Sequence, residues 1–374
     1  MPEFLAICPK GCSEALELEI QALGIPSTQK MATGVFFETN WEGCYKVNLH
    51  SRLASRVVKP ILDFPAYNAD DIYNNIRKHD FTKYIDANQT LKIDATVKES
   101  AILDQRFLAM KVKDAIVDQF RDKFGIRPDV DNDRPALRVH IQGKKNEYHV
   151  SIDTSGDALF MRGYRLEAGE APLKENLAAA LLKVTGWDMQ SPLVDPLCGS
   201  GTFLIEAAMM AMNIAPGSLR KRFGFMTLKG FEQDKWDALV DEAISAEKTE
   251  LPFLFYGSDE DRRVIRMAKD NARRAGVDHV IEFSVGPIAT FAPVVTTGML
   301  VTNPPYAVRM GDEDNVRDVY RDLSFALKQK CKGWNAWILS GNKDLIMDLK
   351  LKATRRHFVY NGPIECRFLK YEMF

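Results

Sequence analysis

The sequence predicts an α/β protein, with a parallel, doubly wound sheet in its second part and smaller α+β units before it. From about residue 172 onward, short apolar strands alternate with amphipathic helices, a pattern typical of parallel sheets covered by helices on both faces. Hydrophobic residues make up 46% and charged residues 27% of the 374 residues, the composition of a globular protein with two or three domains. No run of about 18 apolar residues offers a membrane span.

The first part of the chain carries both helix and strand patterns. Apolar residues at helical spacing predict helices over 13–24 and 104–125, each ending at a glycine, and similar spacing continues over 42–62. Alternating apolar and polar residues predict strands over 3–9, 34–40 and 90–98. They also predict one hairpin over 136–155, which turns at 143–146. This part is therefore expected to fold as small α+β units.

In the second part, strands and helices follow one another regularly. The predicted strands are 192–197, 253–259, 298–303 and 335–341. The predicted helices are 176–187, 201–215, 262–276 and 314–331. Ligands of doubly wound sheets bind outside the carboxyl ends of the strands, so the residues that follow each strand are the first candidates for a site.

A glycine-rich turn, DPLCGSGT over 195–202, joins the first of these strands to a helix. Gly199 and Gly201 allow a ligand to approach the backbone, and the N-terminus of the next helix supplies free N–H groups. The turn lacks the lysine of a phosphate loop and the third glycine of a dinucleotide fingerprint. Asp195 at the strand end therefore favours an amine as ligand, and a tight connection without any ligand is the alternative.

The second strand ends in YGSDED, which places several carboxylates at the same edge of the sheet. Asp259 is the candidate for accepting both hydroxyls of a ribose, as the acidic residue of that strand does in dinucleotide-binding folds. Glu260 and Asp261 are its neighbours. The alternative role for this cluster is to cap the helix that begins near Arg262.

The third motif is NPPY, Asn303 to Tyr306, at the end of an apolar strand. Pro304 and Pro305 donate no backbone hydrogen bond and restrict the chain to a rigid turn. The Asn303 side chain and the Pro304 carbonyl are two acceptors that can take both hydrogens of an exocyclic amine, and Tyr306 offers a ring on which a base can stack. The turn therefore indicates chemistry on an amine; a purely structural loop is the alternative.

The order of these motifs on one predicted sheet resembles that of S-adenosylmethionine-dependent amino-methyltransferases. Three longer stretches, 48–57, 162–182 and 195–217, resemble the THUMP-containing RNA guanine-N2 methyltransferases, in particular those that act on large-subunit ribosomal RNA. The resemblance covers essentially the whole chain. It implies a Rossmann-like methyltransferase domain over 161–374, preceded by a ferredoxin-like module over 1–60 and a THUMP domain over 61–160 that binds structured RNA.

The resemblance also implies roles for individual residues. Glu175 and Asn176 match positions that contact the methionine part of the cofactor, and Asp195 matches the position that meets its amino group. The positions of the family's glycine turn and ribose site are matched by Pro196, Cys198, Gly199, Ser200, Gly201, Thr202, Asp259 and Glu260. The positions of the family's target-amine site are matched by Asn303, which also adjoins the cofactor, and by Pro304, Pro305 and Tyr306.

Three further features of the sequence bear on the partners. Arg162, Arg165 and Arg309 are candidates for phosphate contacts near the site or, alternatively, solvated surface charges. After the third strand, Gly286 and Pro287 stand near the position where the family often has an acidic residue for adenine, so adenine binding is expected to depend on backbone groups. The formal net charge is −1, so any nucleic-acid surface must be assembled by folding.

The six cysteines are scattered without a zinc-ligand pattern, and the N-terminus has no basic region of a secretory signal. These features predict reduced thiols, no metal and a cytoplasmic location. The chain ends soon after the expected terminal strand, so no second methyltransferase module is expected. Three rival hypotheses stay open at this point: a transfer RNA methyltransferase, an adenine-N6 methyltransferase acting on DNA or RNA, and a non-catalytic RNA-binding assembly factor.

Overall fold

The computed structural model describes residues 1–166, 173–306 and 313–374, which form two β-sheets with helices packed on them. The first sheet has eight strands from the first 153 residues and the second has seven from the remainder. None of the helices within the described ranges is long and apolar enough to cross a membrane.

The first sheet has the strand order β2-β3-β1-β4-β8-β7-β5-β6. Its strands are β1 (Glu3–Ile7), β2 (Ser27–Met31), β3 (Gly34–Glu38), β4 (Arg56–Pro65), β5 (Thr90–Lys98), β6 (Asp129–Val130), β7 (Leu137–Lys144) and β8 (Glu147–Asp153). Its helices are α1 (Ser13–Ala22), α2 (Trp41–His50), α3 (Ala69–Arg77) and α4 (Gln105–Phe124). The predicted hairpin is confirmed, with Lys145 and Asn146 at positive φ in a turn that suits the twist of its strands.

Strand β4 connects the two halves of this sheet. Its first residues, 56–58, pair with β1, and residues 58–65 pair with β8. The proposed module boundary after residue 60 thus falls inside one strand. The helical interpretation of residues 42–62 is wrong beyond His50, where α2 ends. Pro60 is incompatible with a helix over residues 56–62, because proline disrupts a helix interior, and it fits the irregular register between Pro60 and Leu62 in β4.

The second sheet has the strand order β11-β10-β9-β12-β13-β15-β14, in which β15 alone runs antiparallel to β13. Its strands are β9 (Leu193–Asp195), β10 (Phe255–Asp259), β11 (Ile281–Val285), β12 (Met299–Thr302), β13 (Asn335–Ser340), β14 (Arg355–Asn361) and β15 (Ile364–Glu372). Its helices are α5 (Glu175–Thr185), α6 (Thr202–Ala211), α7 (Gln233–Ser245), α8 (Arg262–Arg274), α9 (Glu313–Lys330) and α10 (Lys343–Asp348). The predicted Rossmann-like fold is confirmed. The strand order reverses between β9 and β12, and such a switch point opens a ligand crevice.

A buried polar network joins the two sheets. The Arg162 guanidinium lies 3.5 Å from the Glu206 carboxylate and donates to the carbonyls of Leu159 and Arg52. Arg52 in turn donates to the carbonyl of Ile214 at 2.7 Å. Arg162 is 1% exposed. It is therefore neither a phosphate contact nor a solvated surface charge, and both readings made from the sequence are wrong.

We expect Arg162→Ala to lower the free energy of unfolding by about 3–5 kcal/mol, because it leaves the fully buried Glu206 without its ionic partner. Urea denaturation followed by circular dichroism measures the change. The double variant Arg162→Met/Glu206→Met removes both charges and should recover much of the loss. Equal stability of wild type and Arg162→Ala would contradict the role of the pair.

Candidate active site

Four strand ends meet at the switch point of the second sheet. Asp195 ends β9, Asp259 ends β10, Asn303 follows β12 and Gly341 follows β13. The strands β9, β10, β12 and β13 are parallel, so their carboxyl ends lie at one edge. The three motifs predicted from the sequence are therefore brought to the same side of the sheet.

The glycine turn is tied to β10 and opens toward the crevice. The Cys198 amide donates to the Ser258 carbonyl at 2.9 Å. Gly199 and Gly201 have φ of +53° and +82°. A Cβ on Gly201 would lie 3.1 Å from the Phe283 ring, whereas a Cβ on Gly199 would meet nothing within 4 Å. Gly201 is thus required for packing and backbone conformation, and Gly199 leaves open space beside the backbone.

The other residues of the turn are held from neighbouring elements. The Ser200 carbonyl accepts a hydrogen bond from the Asn271 side chain of α8 at 3.1 Å. The Pro196 carbonyl accepts from the Ser258 hydroxyl at 3.4 Å. Asn271 was not found from the sequence, because a buried asparagine inside an amphipathic helix gives no pattern of its own. The turn is held in place before any ligand arrives.

Asp195 is a buried carboxyl at the floor of the crevice, with 2% of its surface exposed. One of its oxygens accepts from the Leu197 amide at 3.2 Å. Burial is the main cause that raises the pKa of Asp195 to about 7, and the nearby Asp259 carboxylate raises it further. A cationic group placed beside this carboxyl would favour its ionised form.

The second carboxylate, Asp259, faces the glycine turn. Its oxygens accept from the Gly199 amide at 3.1 Å and from the Asp261 amide at 3.0 Å. Asp261, not Asp259, caps α8, since its side chain accepts from the Arg263 amide at 2.8 Å. Glu260 is exposed. The capping alternative therefore applies to Asp261 and leaves Asp259 at the crevice.

Glu175, at the start of α5, pairs with Arg165, a residue that the sequence had suggested as a phosphate contact. Arg165 forms an ion pair of 3.4 Å with Glu175 and also donates to the Thr202 hydroxyl. Its side chain is only 10% exposed. Arg165 is thus an internal residue that joins α5 to the glycine turn and not a solvated surface charge, whereas the phosphate contact suggested for it stays a prediction. Arg309 lies outside the described residues.

Asn176 is fully buried beside the first unit. Its amide nitrogen donates to the Leu53 carbonyl at 3.3 Å and to the Ser55 hydroxyl at 2.9 Å. Its Oδ1 atom has no hydrogen-bond partner among the described residues. One end of the Asn176 amide therefore anchors the N-terminal unit, and the other end remains available as an acceptor.

The NPPY turn contains a second buried acceptor. Oδ1 of Asn303 is buried and has no partner among the described residues. Pro304 is buried, whereas Pro305 is exposed. The hydroxyl of Tyr306 accepts from the Asn361 side chain at 2.9 Å. A buried, unpaired acceptor costs stability and calls for an explanation, which a ligand donor would supply.

Asn361 and Gly341 fix the Tyr306 ring, and the sequence did not indicate either of them. A Cβ on Gly341 would lie 2.8 Å from Cδ2 of Tyr306, so the ring packs directly on this glycine. Burial raises the pKa of Tyr306 to about 12, so the hydroxyl stays protonated. The dipeptide Asn–Gly at 361–362 is typical of a turn, but the contact of Asn361 with Tyr306 depends on strand order.

Space for a ligand lies beside these residues. A cavity of about 940 Å³ is bordered by Glu175 and Arg165 on one side and by Asn361 and Ile364 on another. Lys174 and Lys221 also line it. Among the described residues, no cluster of three or more His, Cys, Asp or Glu side chains is arranged to hold a metal ion. The cavity combines apolar walls with cations, as a nucleotide site requires.

The segment after β11 lies next to the ribose candidate. The Gly286 amide donates to the Asp259 carbonyl at 3.0 Å, and Pro287 precedes a single 3₁₀ turn over 288–290. A Cβ on Gly286 would meet nothing within 4 Å. The space beside Gly286 is therefore open, and neither Gly286 nor Pro287 supplies a carboxylate.

Comparisons with known protein families agree with this architecture. Residues 162–370 match the UPF0020 family, described as RMKL-like methyltransferase domain. Residues 66–153 match the THUMP domain, and residues 3–58 match the RlmL ferredoxin-like domain.

Individual relatives extend the match to the full chain. A Synechocystis protein named "Putative RNA methyltransferase" is 39% identical, over 99% of this chain and 97% of its own length. The ribosomal RNA large subunit methyltransferase K/L of Methylococcus capsulatus is 40% identical over 99% of this chain, which spans about half, 51%, of that relative. A solved structure described as "a putative methyltransferase complexed with SAH" has a TM-score of 0.90 at 29% identity, covering 100% of this chain and 98% of that one. The chain belongs to the RMKL-like methyltransferase family and has the THUMP and ferredoxin-like domains of its RlmL branch.

Proposed function

We propose that the protein transfers a methyl group from S-adenosylmethionine to the exocyclic N2 amine of a guanosine in large-subunit ribosomal RNA. The observation that carries the proposal is the buried, unpartnered Oδ1 of Asn303, next to the donor-free Pro304. An amine has two hydrogens to donate, and these two acceptors can receive them. The chain's part in catalysis is then to position the amine and to exclude water.

The residues around the crevice fit S-adenosylmethionine. Asp195 supplies an acceptor for its amino group, and Asp259 supplies one for the ribose hydroxyls. Glu175 lines the cavity, and Asn176 next to it has a buried Oδ1 without a partner among the described residues, so both are assigned to the methionine moiety. Gly199 leaves room beside the backbone. When bound, the cofactor supplies an electrophilic methyl group on a positively charged sulfur.

We expect the affinity for S-adenosylmethionine to fall about tenfold from about pH 7.5 to about pH 6. The folded-state pKa of Asp195 is raised to about 7, so the carboxyl becomes neutral over this range and attracts the cofactor's ammonium group less. Isothermal titration calorimetry gives the dissociation constant at each pH. Asp195→Asn should bind weakly with a flatter profile, and Asp261→Asn, which alters a helix cap and an ion pair with Arg263, should keep the wild-type profile. An unchanged affinity across this range would contradict the assignment.

The nature of the substrate is supported by the N-terminal unit and by the names of the relatives. A THUMP match over 66–153 favours structured RNA over duplex DNA. The named K/L relatives favour large-subunit ribosomal RNA over transfer RNA. The six cysteines, all free and buried, fit the reducing cytoplasm. The buried acceptors at the site weigh against a non-catalytic assembly factor, which has no use for an unpaired amide oxygen.

The proposal is tested by transfer of labelled methyl to total RNA from a strain that lacks the gene. The RNA is fractionated and digested to nucleosides, and we expect N2-methylguanosine in large-subunit ribosomal RNA. N6-methyladenosine would overturn the assigned chemistry, and label confined to transfer RNA would overturn the assigned substrate. No calorimetric binding of S-adenosylmethionine would overturn the enzyme itself.

A further inference from the structure

The outer face of the hairpin β14–β15 carries a row of aromatic and basic side chains. Arg356, Phe358 and Tyr360 alternate along β14, which is the last strand in the order of the second sheet. Phe358 is paired with Arg367 of β15 and is 58% exposed. Residues two apart on a strand share one face and are roughly 6.6 Å apart, a spacing that an extended nucleic-acid strand can match.

Cations lie against both rings of this row. The guanidinium carbon of Arg367 is 5.6 Å from the centre of the Phe358 ring, and Nζ of Lys10 is 5.3 Å from the centre of the Tyr360 ring. Lys10 comes from the loop after β1, so both units of the chain contribute to the surface. Nε of Arg367 is buried and has no hydrogen-bond partner among the residues that the structure describes.

One carboxylate belongs to the same surface. Glu365 accepts a hydrogen bond from the Tyr360 hydroxyl at 3.1 Å. This contact holds the Tyr360 ring by its hydroxyl and leaves one acid against the three cations Lys10, Arg356 and Arg367. These four side chains together are therefore positively charged, although the whole chain has a formal charge of −1.

The row ends one residue before a side chain that contacts the candidate active site. Asn361 follows Tyr360 in the strand and points to the opposite face, where its side chain donates to the Tyr306 hydroxyl at 2.9 Å. Because β14 is the edge strand, a polynucleotide whose target base reached Tyr306 could pass around this edge, and its neighbouring nucleotides would then meet Tyr360 and Phe358. Sheet-face aromatics are an established way for proteins to stack bases of single-stranded RNA.

We propose that this surface, the β14–β15 platform (Lys10, Arg356, Phe358, Tyr360 and Arg367), binds the single-stranded nucleotides that flank the methylated one. The inference rests on the proposed RNA methyltransferase function and adds a binding site to it. Bases stack on the rings of Phe358 and Tyr360, while the cations meet phosphates. A single strand is favoured over a duplex, because the bases of a duplex are already stacked on one another.

The test measures binding of the full chain to a short fluorescein-labelled single-stranded RNA by fluorescence anisotropy. Phe358→Ala should weaken binding about tenfold, the loss of one base stack. Arg367→Glu should weaken binding and reduce the slope of log affinity against log salt by about one or more. Phe325→Ala is the matched control, since Phe325 is 57% exposed on α9, an element outside the platform, and Arg266→Glu on α8 is the control for charge. Both controls should bind as wild type does.

Three results would overturn the platform. The first is unchanged RNA affinity in Phe358→Ala and Arg367→Glu while the wild type methylates RNA, which removes the platform and leaves the proposed function standing. The second is a wild-type dimer in sedimentation experiments that Phe358→Ala dissociates, which assigns the surface to self-association. The third is an equal loss of RNA and S-adenosylmethionine affinity in the variants, which assigns the effect on RNA to the fold and not to base stacking; wild-type cofactor affinity in both variants is the expected result. If the wild type transfers no methyl to any RNA, the proposed function fails independently.

Discussion

Asn303→Ala should reduce the rate of methyl transfer by about 10²–10³-fold while S-adenosylmethionine still binds with near wild-type affinity. The substitution removes a buried acceptor that the described residues leave unpaired, so no hydrogen bond from a described residue to this oxygen is lost. The expected size is that of removing one fixed hydrogen-bonding group from an active site where charge develops. Single-turnover kinetics with labelled cofactor measure the rate, and calorimetry measures the binding.

Two further variants separate the acceptor from other effects at this position. Asn303→Asp keeps an acceptor of similar size, so it should retain more activity than the alanine variant. Asn335→Ala, at the exposed start of β13, is the matched control for loss of an asparagine from the same sheet and should keep wild-type activity. Full activity of Asn303→Ala would mean that the NPPY turn serves only the structure.

The positions of Asp195, Asp259 and Asn303 could be predicted from the sequence because they depend on strand order alone. Each follows or ends an apolar strand, and parallel strands bring their carboxyl ends to one edge whatever the details of packing. The choice between Asp259 and Asp261 could not be made that way. It depends on which carboxylate reaches the Gly199 amide and which reaches the start of α8, and the two residues are only two positions apart.

The roles of the arginines could not be predicted, for a different physical reason. Arginine is exposed in most proteins, so Arg162 and Arg165 suggested surface or phosphate contacts. Both are internal because each pairs with an acidic residue on another element. The partner of Arg162 is Glu206, 44 residues away, and the partner of Arg165 is Glu175 at the start of α5. Pairing across elements leaves no periodic signal in the sequence.

The residues that hold the Tyr306 ring could not be predicted from the sequence for the same reason. Asn361 and Gly341 come from β14 and from the end of β13, and neither contact is local in sequence. A glycine after a strand suggests a turn and a relaxed backbone. Here its function is steric, since the space of a missing side chain is filled by the Tyr306 ring.

Gly341→Ala should lower the rate of methyl transfer about 10²-fold, because the added methyl group displaces the ring that is expected to stack on the target base. The new Cβ would lie 2.8 Å from Cδ2 and 3.0 Å from Cε2 of Tyr306, closer than carbon atoms pack. A misplacement of about 1 Å at a reacting centre can cost a factor of this size. Cofactor affinity should change little, since the sites assigned to the cofactor lie on β9, β10 and α5.

The same Cβ would also lie 2.8 Å from Cγ2 of Ile364, so the two clashes must be separated. Ile364→Ala alone tests the loss of the isoleucine, and Gly341→Ala/Ile364→Ala removes that clash while keeping the one with Tyr306. If the tyrosine is the cause, the double variant stays slow although Ile364→Ala alone remains active. Recovery of the rate in the double variant would mean that the clash with Ile364 causes the loss of activity. A thermal melt of each variant distinguishes either outcome from loss of the fold.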